Sequence, residues 1–247
     1  MKNTNTTAWV ASAIFCAAIP AAGLTEGRVT AALGLSAGSE VYVGQGKQTG
    51  LFPYLSYDTD KVSVSIGGVQ YHVVQDDAFQ LSFGLSPRFA PDFPDTELFA
   101  GLDRDSTVEA TVSGTYRFDG TLRSSLLLRR DMLSGHEGYE IEFVVGRTAK
   151  LGPAIVEMSL GARHRDKNLN AYIAGVAQSE ANSGSVTYNP GATTSPFAGV
   201  LAALPINAKV SVIGTATYEY FGSTYSDSPL IDNGYATSAS IGVAYTF

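Results

Sequence analysis

Hydrophobic and polar side chains alternate along most of this chain, and the alternation is cleanest near the C-terminus. In residues 234–247, apolar side chains such as Ile241 and Val243 occupy the odd positions, and small polar ones such as Ser238 and Ser240 occupy the even positions. A β-strand sends these two sets to opposite faces of a sheet. The pattern is typical of an outer-membrane barrel strand, which faces lipid on one side and a polar lumen on the other. The last strand of a soluble β-sandwich is the alternative.

The end of the chain also has the features of an assembly signal. The chain stops at Phe247, with Tyr245 two residues earlier and Gly242 three residues before that. This ending resembles the C-terminal signal that the outer-membrane barrel-assembly machinery reads. We therefore expect that machinery to be a partner of this protein.

The same period of two predicts eleven strands, which are separated by turn residues. The predicted strands are residues 28–38, 51–57, 61–74, 78–89, 107–118, 121–133, 139–149, 153–165, 196–204, 208–221 and 234–247. The alternation slips at Gly67 and Gly68, which we interpret as a β-bulge. A closed barrel with both ends on one side needs an even number of strands. We therefore predict an all-β fold, a closed antiparallel transmembrane β-barrel of twelve (or ten) strands, in which residues 166–194 could hold a missing strand.

The segments between these strands fall into two kinds. Residues 58–61, 118–121, 150–153 and 204–207 form short turns, whereas residues 90–105, 166–194 and 222–233 form long stretches rich in Pro, Asp, Ser and Asn. Short periplasmic turns and longer extracellular loops are usual in outer-membrane barrels.

The N-terminus predicts export from the cytoplasm. Lys2 is followed by an apolar run over residues 8–18 and then by Pro20 and small residues, which is typical of a secretory signal peptide. The run is too short to span a bilayer. We assign residues 1–22 to the signal peptide, with cleavage between Ala21 and Gly23, and residues 23–247 to one barrel domain. Cys16 is the only cysteine, so the exported chain is expected to lack disulfides and thiolate sites.

Composition agrees with a membrane barrel and argues against nucleic acid as a partner. The chain is 45% hydrophobic, yet its mean hydropathy is only +0.06. This balance fits strands that are apolar at every second position, in contact with outer-membrane lipid. The net charge is −7, whereas nucleic acids select for basic surfaces. The predicted location is the outer membrane of a Gram-negative cell.

Charged residues of three successive strands share the face that is predicted to line the lumen. These lumen residues are Arg123, Arg129, Glu140, Glu142, Glu157 and Arg163. Unpaired charges in a narrow, dry interior would cost several kcal/mol, so we expect them to be paired or hydrated. They form either a salt-bridged plug or the lining of a passage for small polar solutes.

Short motifs, mostly in the second half of the chain, follow one another in an order that is typical of a protein family. The motifs are DMLSGHEG at residues 131–138, AYIAGV at 171–176, YNPGA at 188–192 and SDSPLI at 226–231, preceded by LGL at 33–35 and FPY at 52–54. Their order resembles that of the MipA/OmpV family of outer-membrane proteins. The resemblance implies a barrel, and for the name-giving branch it implies a scaffold that binds a murein hydrolase (a lytic transglycosylase) and a murein synthase.

Catalytic chemistry has little support in the sequence. The family-motif loop contains Ser134, Gly135, His136 and Gly138, where His136 could serve as a base at the rim, although a turn with a solvated or capping histidine is the simpler interpretation. The donor spacings of zinc and calcium sites are absent from the sequence. We therefore expect no enzymatic activity, no metal and no cofactor. The predicted function is a docking scaffold for murein enzymes, with a narrow channel, or an adhesin acting through residues 166–194, as alternatives.

Overall fold

The computed structural model describes residues 27–181 and 184–247, and the predicted signal peptide lies outside these residues. Strands account for most of the described chain. They are β1 (Arg28–Gly38), β2 (Gln48–Asp58), β3 (Val62–Ser65), β4 (Gly68–Gln75), β5 (Phe79–Arg88), β6 (Thr107–Arg117), β7 (Leu122–Asp131), β8 (Tyr139–Leu151), β9 (Ala154–Arg165), β10 (Thr193–Pro205), β11 (Val210–Tyr220) and β12 (Tyr235–Thr246). Two short helices, α1 (Lys167–Ala174) and α2 (Ser223–Ser226), and a 3-10 helix, Glu97–Phe99, lie in the loops. None of the helices in the described residues is long and apolar enough to cross a membrane.

The twelve strands close into one antiparallel barrel, as the alternation predicts. Each strand pairs with its neighbour in sequence, and β1 pairs with β12 from Thr30 opposite Thr246 to Gly38 opposite Ser238. Closure joins the first and last strands along their lengths, so the sheet has no free lateral edge there. The even strand number brings the start of β1 and the end of β12 to the same end of the barrel.

The twelfth strand comes from residues 61–74, and the interpretation of this segment as one bulged strand was wrong. The segment makes a hairpin with Ile66 and Gly67 at its tip, in which Ser65 pairs with Gly68. A two-residue hairpin and a bulge both shift the alternation by one position, so the sequence pattern is the same for both. The irregularity within β4 lies instead between His72 and Val74.

Residues 166–194 contain α1 rather than the additional strand that was considered there. Asp166 is the N-cap of this helix, and its side chain accepts a hydrogen bond from the backbone N–H of Leu169. The later part of the loop forms an isolated bridge between Val176 and Tyr188. Because α1 packs over the barrel mouth, this long loop closes back onto the barrel.

Side-chain hydrogen bonds set the conformation of the short turns, which lie at the end of the barrel where β1 begins and β12 ends. The Oδ1 atoms of Asp76, Asp119 and Asn207 each accept two backbone N–H groups from the residues two and three positions later. Thr59 uses its hydroxyl in the same way. Because each of these turns is stabilised by hydrogen bonds from its own side chain, the connections at this end can be short.

The buried apolar core lies above the barrel, among the loops at the opposite end. We call it the cap. It contains Tyr42, Phe99, Leu169, Tyr172, Ile173, Ala174, Val176, Phe221, Tyr225, Leu230 and Ile231, with Ala236 at the start of β12. The barrel wall shows the opposite distribution, because its apolar side chains are exposed on the outer face. A membrane barrel needs this arrangement, since lipid covers the outer face.

Glycines let aromatic side chains lie flat against the inner wall. Gly161 pairs with Phe197, and a Cβ atom at Gly161 would lie 2.4 Å from the Phe197 ring and 2.6 Å from the Phe143 carbonyl oxygen. The backbone oxygen cannot move aside as a side chain could. At Gly114 the nearest such atom would be 3.9 Å away.

Replacing Gly161 with Ala is therefore expected to destabilise the barrel by about 1–3 kcal/mol, because the added methyl group overpacks the wall. The same substitution at Gly114 serves as the matched control and should have a much smaller effect. Urea unfolding of the detergent-refolded protein, followed by circular dichroism, measures both. Equal midpoints for the two variants would contradict this packing account.

Candidate functional site

Eight charged side chains meet inside the barrel near its loop end, and we call them the loop-end network. They are Arg88, Glu109, Arg129, Glu140, Glu142, Arg163, Arg165 and Glu219, and they come from β5, β6, β7, β8, β9 and β11. Four positive and four negative charges balance one another. The network therefore joins half of the strands across the lumen.

Glu140 lies at the centre of this network. Its Oε2 accepts a hydrogen bond of 3.0 Å from Arg165 Nε, and its Oε1 lies 3.6 Å from Arg88, 3.7 Å from Arg129 and 3.8 Å from Arg163. The Glu140 side chain is only 4% exposed. Four guanidinium groups thus compensate one buried carboxylate, which would otherwise be strongly destabilising.

Arg163 and Arg165 connect Glu140 of β8 to Glu219 of β11, three strands away. Arg163 donates to Glu142 Oε2 at 2.6 Å and also to Glu219, while Arg165 Nη1 lies 2.7 Å from Glu219 Oε1. The guanidinium of Arg163 also stacks over the Phe197 ring, 5.0 Å from its centroid. Gly161 makes room for that ring, so wall packing positions the arginine.

The six lumen residues named from the sequence fall into two groups. Arg129, Glu140, Glu142 and Arg163 belong to the loop-end network. Arg123 and Glu157 form a separate pair nearer the turns, in which Arg123 Nη2 lies 2.5 Å from Glu157 Oε1.

The remaining members of the loop-end network also follow the alternation. Each of them occupies one of the alternate positions of its strand that point into the lumen: Arg88, Glu109, Arg165 and Glu219. Glu219, for example, is flanked by the exposed Tyr218 and Tyr220. The signal was therefore present in the sequence. Their meeting point depends on strand tilt and register, which the sequence pattern does not specify.

The family-motif loop is organised by the Asp131 carboxylate. Its Oδ2 accepts the backbone N–H groups of His136 at 2.6 Å and Glu137 at 2.7 Å, and its Oδ1 accepts the Thr107 hydroxyl at 2.5 Å. Ser134 and Glu137 adopt left-handed backbone conformations with φ of 60° and 52°. A single carboxylate thus fixes the path of the whole loop.

Two glycines of this loop sit where no side chain would fit. A Cβ atom at Gly135 would lie 2.7 Å from Thr107 Cβ, and one at Gly138 would lie 2.6 Å from the backbone nitrogen of Leu169. Gly138 therefore lets the loop pack closely against the start of α1. The motif serves the contact between this loop and the cap.

His136 is a buried structural residue rather than a solvated one. Its Nδ1 accepts the backbone N–H of Gly138 at 3.0 Å, which leaves the ring proton on Nε2, 3.1 Å from Glu109 Oε1. The side chain is fully buried. The histidine links the motif loop to the loop-end network, and substrate cannot reach it in this arrangement. Among residues 27–181 and 184–247, no three His, Cys, Asp or Glu side chains are grouped so as to hold a metal ion.

Buried hydrogen bonds hold the cap together, and one joins it to the network, since Asn170 of α1 donates to the Arg165 carbonyl at 3.4 Å. Tyr225 donates to Asn170 Oδ1 at 2.8 Å, and Tyr42 donates to the Ile173 carbonyl at 3.1 Å. Burial raises the pKa of Tyr225 to about 12, so the phenol stays neutral at ordinary pH. The Arg165 guanidinium lies 5.9 Å from the Tyr225 ring centroid. The cap and the network therefore form one continuous closure.

These features define the class of protein. A closed twelve-stranded antiparallel barrel with an apolar outer face and a charged interior is an outer-membrane β-barrel protein. The family model described as "MltA-interacting protein MipA" matches residues 31–247. The chain belongs to this family, as the motif order predicted.

Relatives and solved structures are similar over most of the chain. MltA-interacting protein of Escherichia coli (strain K12) is 29% identical over 215 residues, which cover 79% of this chain and 85% of that protein. Outer membrane protein Omp26La of Vibrio anguillarum is 22% identical over 90% of this chain and 88% of its own. An outer membrane channel from Pseudomonas putida F1 has a TM-score of 0.48 at 13% identity, covering 90% of this chain and 95% of its own. Omp26La is named as an outer membrane protein, which agrees with the predicted location.

Removing the central charge of the loop-end network should be costly. Glu140→Gln leaves four guanidinium groups of the lumen without their shared carboxylate, and we expect a loss of about 3–5 kcal/mol in unfolding free energy. Glu157→Gln is the matched control. It breaks a single ion pair, with Arg123, that lies near the turns and is more exposed to solvent, so it should cost less. Urea unfolding in detergent micelles compares the two. A loss for Glu157→Gln that equals the loss for Glu140→Gln would refute the central role of Glu140.

Proposed function

We propose that this barrel is a non-conducting docking protein, whose turn end binds murein enzymes in the periplasm. The observation that carries the proposal is the closure of the loop end by the charge-balanced network and the cap. Ion pairs join six strands across the lumen, and an apolar core of the described loop residues lies above them. This favours the plug interpretation of the lumen charges over the channel.

The turn end offers a surface that suits docking. Asp60, Asp76, Asp77 and Asp119 are exposed on three successive turns, the first of which also has the exposed Lys61, while the other two turns have Lys150 and Lys209 nearby. Hydrogen bonds from Thr121 and Leu122 hold the pKa of Asp119 below its usual range, so this carboxylate remains charged. The end face is therefore divided into an acidic and a basic half, on turns that need no ordering upon binding.

The name of the Escherichia coli relative states an interaction with MltA. Together with the rigid acidic turns, this name supports the proposal that a murein hydrolase binds this barrel. A murein synthase would be held with the hydrolase as a second partner. The barrel would supply a fixed anchor in the outer membrane and no chemistry of its own.

The closure can be tested by electrical recording. The purified barrel in planar lipid bilayers is expected to give no stable conductance steps, because the loop-end network and cap block ion flow. Stable steps, with an ion selectivity that changes when Arg129 or Glu142 is replaced, would overturn the plug and favour the channel.

Docking can be tested by cross-linking in intact cells. Reversing two exposed charges, Asp60→Lys with Asp77→Lys, should strongly reduce capture of murein enzymes. The change replaces two of the four aspartates of the acidic half by lysine and leaves the residues that set the turn conformations unchanged. Asp95→Lys, an exposed acid at the loop end, is the matched control. Unchanged capture by the double variant, or an equal reduction by the control, would contradict docking at the turns.

A further inference from the structure

The outer face of the barrel is almost free of charge, and its few basic side chains are unevenly placed. Among the outward positions of the described strands, only Arg130, Arg147 and His164 are basic, and none is Asp or Glu. Arg130 lies opposite Tyr139 and shares the face of the exposed Leu126 and Leu128. A cation on this face needs a partner from the membrane, because the wall supplies none.

Arg130 and His164 lie at the loop end, on the two strands that flank β8. Arg130 pairs with Tyr139 of β8, and His164 of β9 pairs with the next outward residue of β8, Ile141. The Tyr139 and His164 rings are 6.1 Å apart between centroids. The three side chains from three adjacent strands form one patch, which we call the outer-face patch.

The polar atoms of the outer-face patch are available. Arg130 is exposed, and it forms no ion pair or side-chain hydrogen bond with any other residue in the described part of the chain. His164 Nδ1 lies 3.0 Å from the Thr194 hydroxyl. When that hydroxyl donates to Nδ1, the neutral ring carries its proton on Nε2, which can donate to a ligand.

In the described part of the chain, the nearby acidic groups form no ion pair with the outer-face patch. The Asp166 carboxylate is engaged by the backbone N–H groups of Tyr139 at 3.1 Å and Leu169 at 2.9 Å. Glu137 is exposed in the loop above and makes no ion pair with Arg130. The guanidinium therefore retains its capacity for an external anion.

We propose that the outer-face patch binds the phosphate of a phosphorylated glycolipid in the outer leaflet. A guanidinium presents paired N–H donors that match phosphate oxygens. Leu126 and Leu128, which are exposed apolar side chains on the same face and nearer the middle of the barrel, suit the acyl chains below the headgroup. Near the membrane interface an outward arginine costs little, so the position is tolerated while a headgroup is within reach.

Arg147 provides an internal comparison. It also points outward, but it lies at the turn end, where the negative charge of Asp119 is close enough for the two to interact. At the turn end, Arg147 faces the inner leaflet of the membrane. A general affinity of outward arginines for lipid would involve both residues, whereas the proposed site requires only Arg130.

Native mass spectrometry of the full barrel, released from neutral detergent, tests the proposal with diphosphoryl lipid A as the probe. Arg130→Gln should weaken binding about ten-fold or more, as expected for loss of a charge-assisted hydrogen bond. Arg147→Gln is the matched control and should bind as the unmodified protein does. Heat-modifiable migration in gels verifies that both variants are folded.

Three results would overturn the assignment. Equal binding by the Arg130→Gln variant would remove the residue from the site. Equal binding of lipid A stripped of its phosphates would show that acyl chains alone are recognised. Complete displacement of lipid A by millimolar inorganic phosphate would identify a free-phosphate site rather than a lipid site.

Discussion

The backbone of this protein must satisfy its hydrogen bonds without water, and every other feature of the barrel depends on that constraint. In hydrocarbon, an unpaired N–H or C=O group costs several kcal/mol, so a sheet must close on itself. Pairing of β1 with β12 along their lengths achieves this closure. Closure then fixes two faces, one toward lipid and one toward the lumen, and side chains are sorted between them by the alternation.

The sorting reverses the usual location of a hydrophobic core. Apolar residues of the wall are exposed to lipid, so the lumen can hold charge, and the dry apolar cluster sits in the loops instead. Glu140 can be buried because four arginines reach it from three other strands. Asp131 and His136 connect this interior to the loop above it. Stability and closure of the lumen therefore come from the same contacts.

Family membership and barrel architecture narrow the function without specifying it. The chain is an outer-membrane barrel of the MipA family, and the docking role and the lipid site are our proposals. They concern opposite ends of the molecule. The turns carry charges that a periplasmic protein can recognise, while Arg130 and His164 face the leaflet around the loop end. A barrel held by lipid at one end could present its other end in a constant orientation.

The sequence by itself determined the strand class, the two faces and the inward position of residues such as Glu142 and Arg163, because side-chain direction in a strand depends only on parity. The C-terminal motifs also determined the family. Tertiary structure alone decided that residues 61–74 form a hairpin, since a hairpin and a bulge shift the alternation equally. It also decided that Glu219 meets Arg163 and Arg165, and that Arg123 with Glu157 stands apart. Those contacts depend on how tilted strands are staggered around a closed cylinder, and that stagger is a property of the whole sheet.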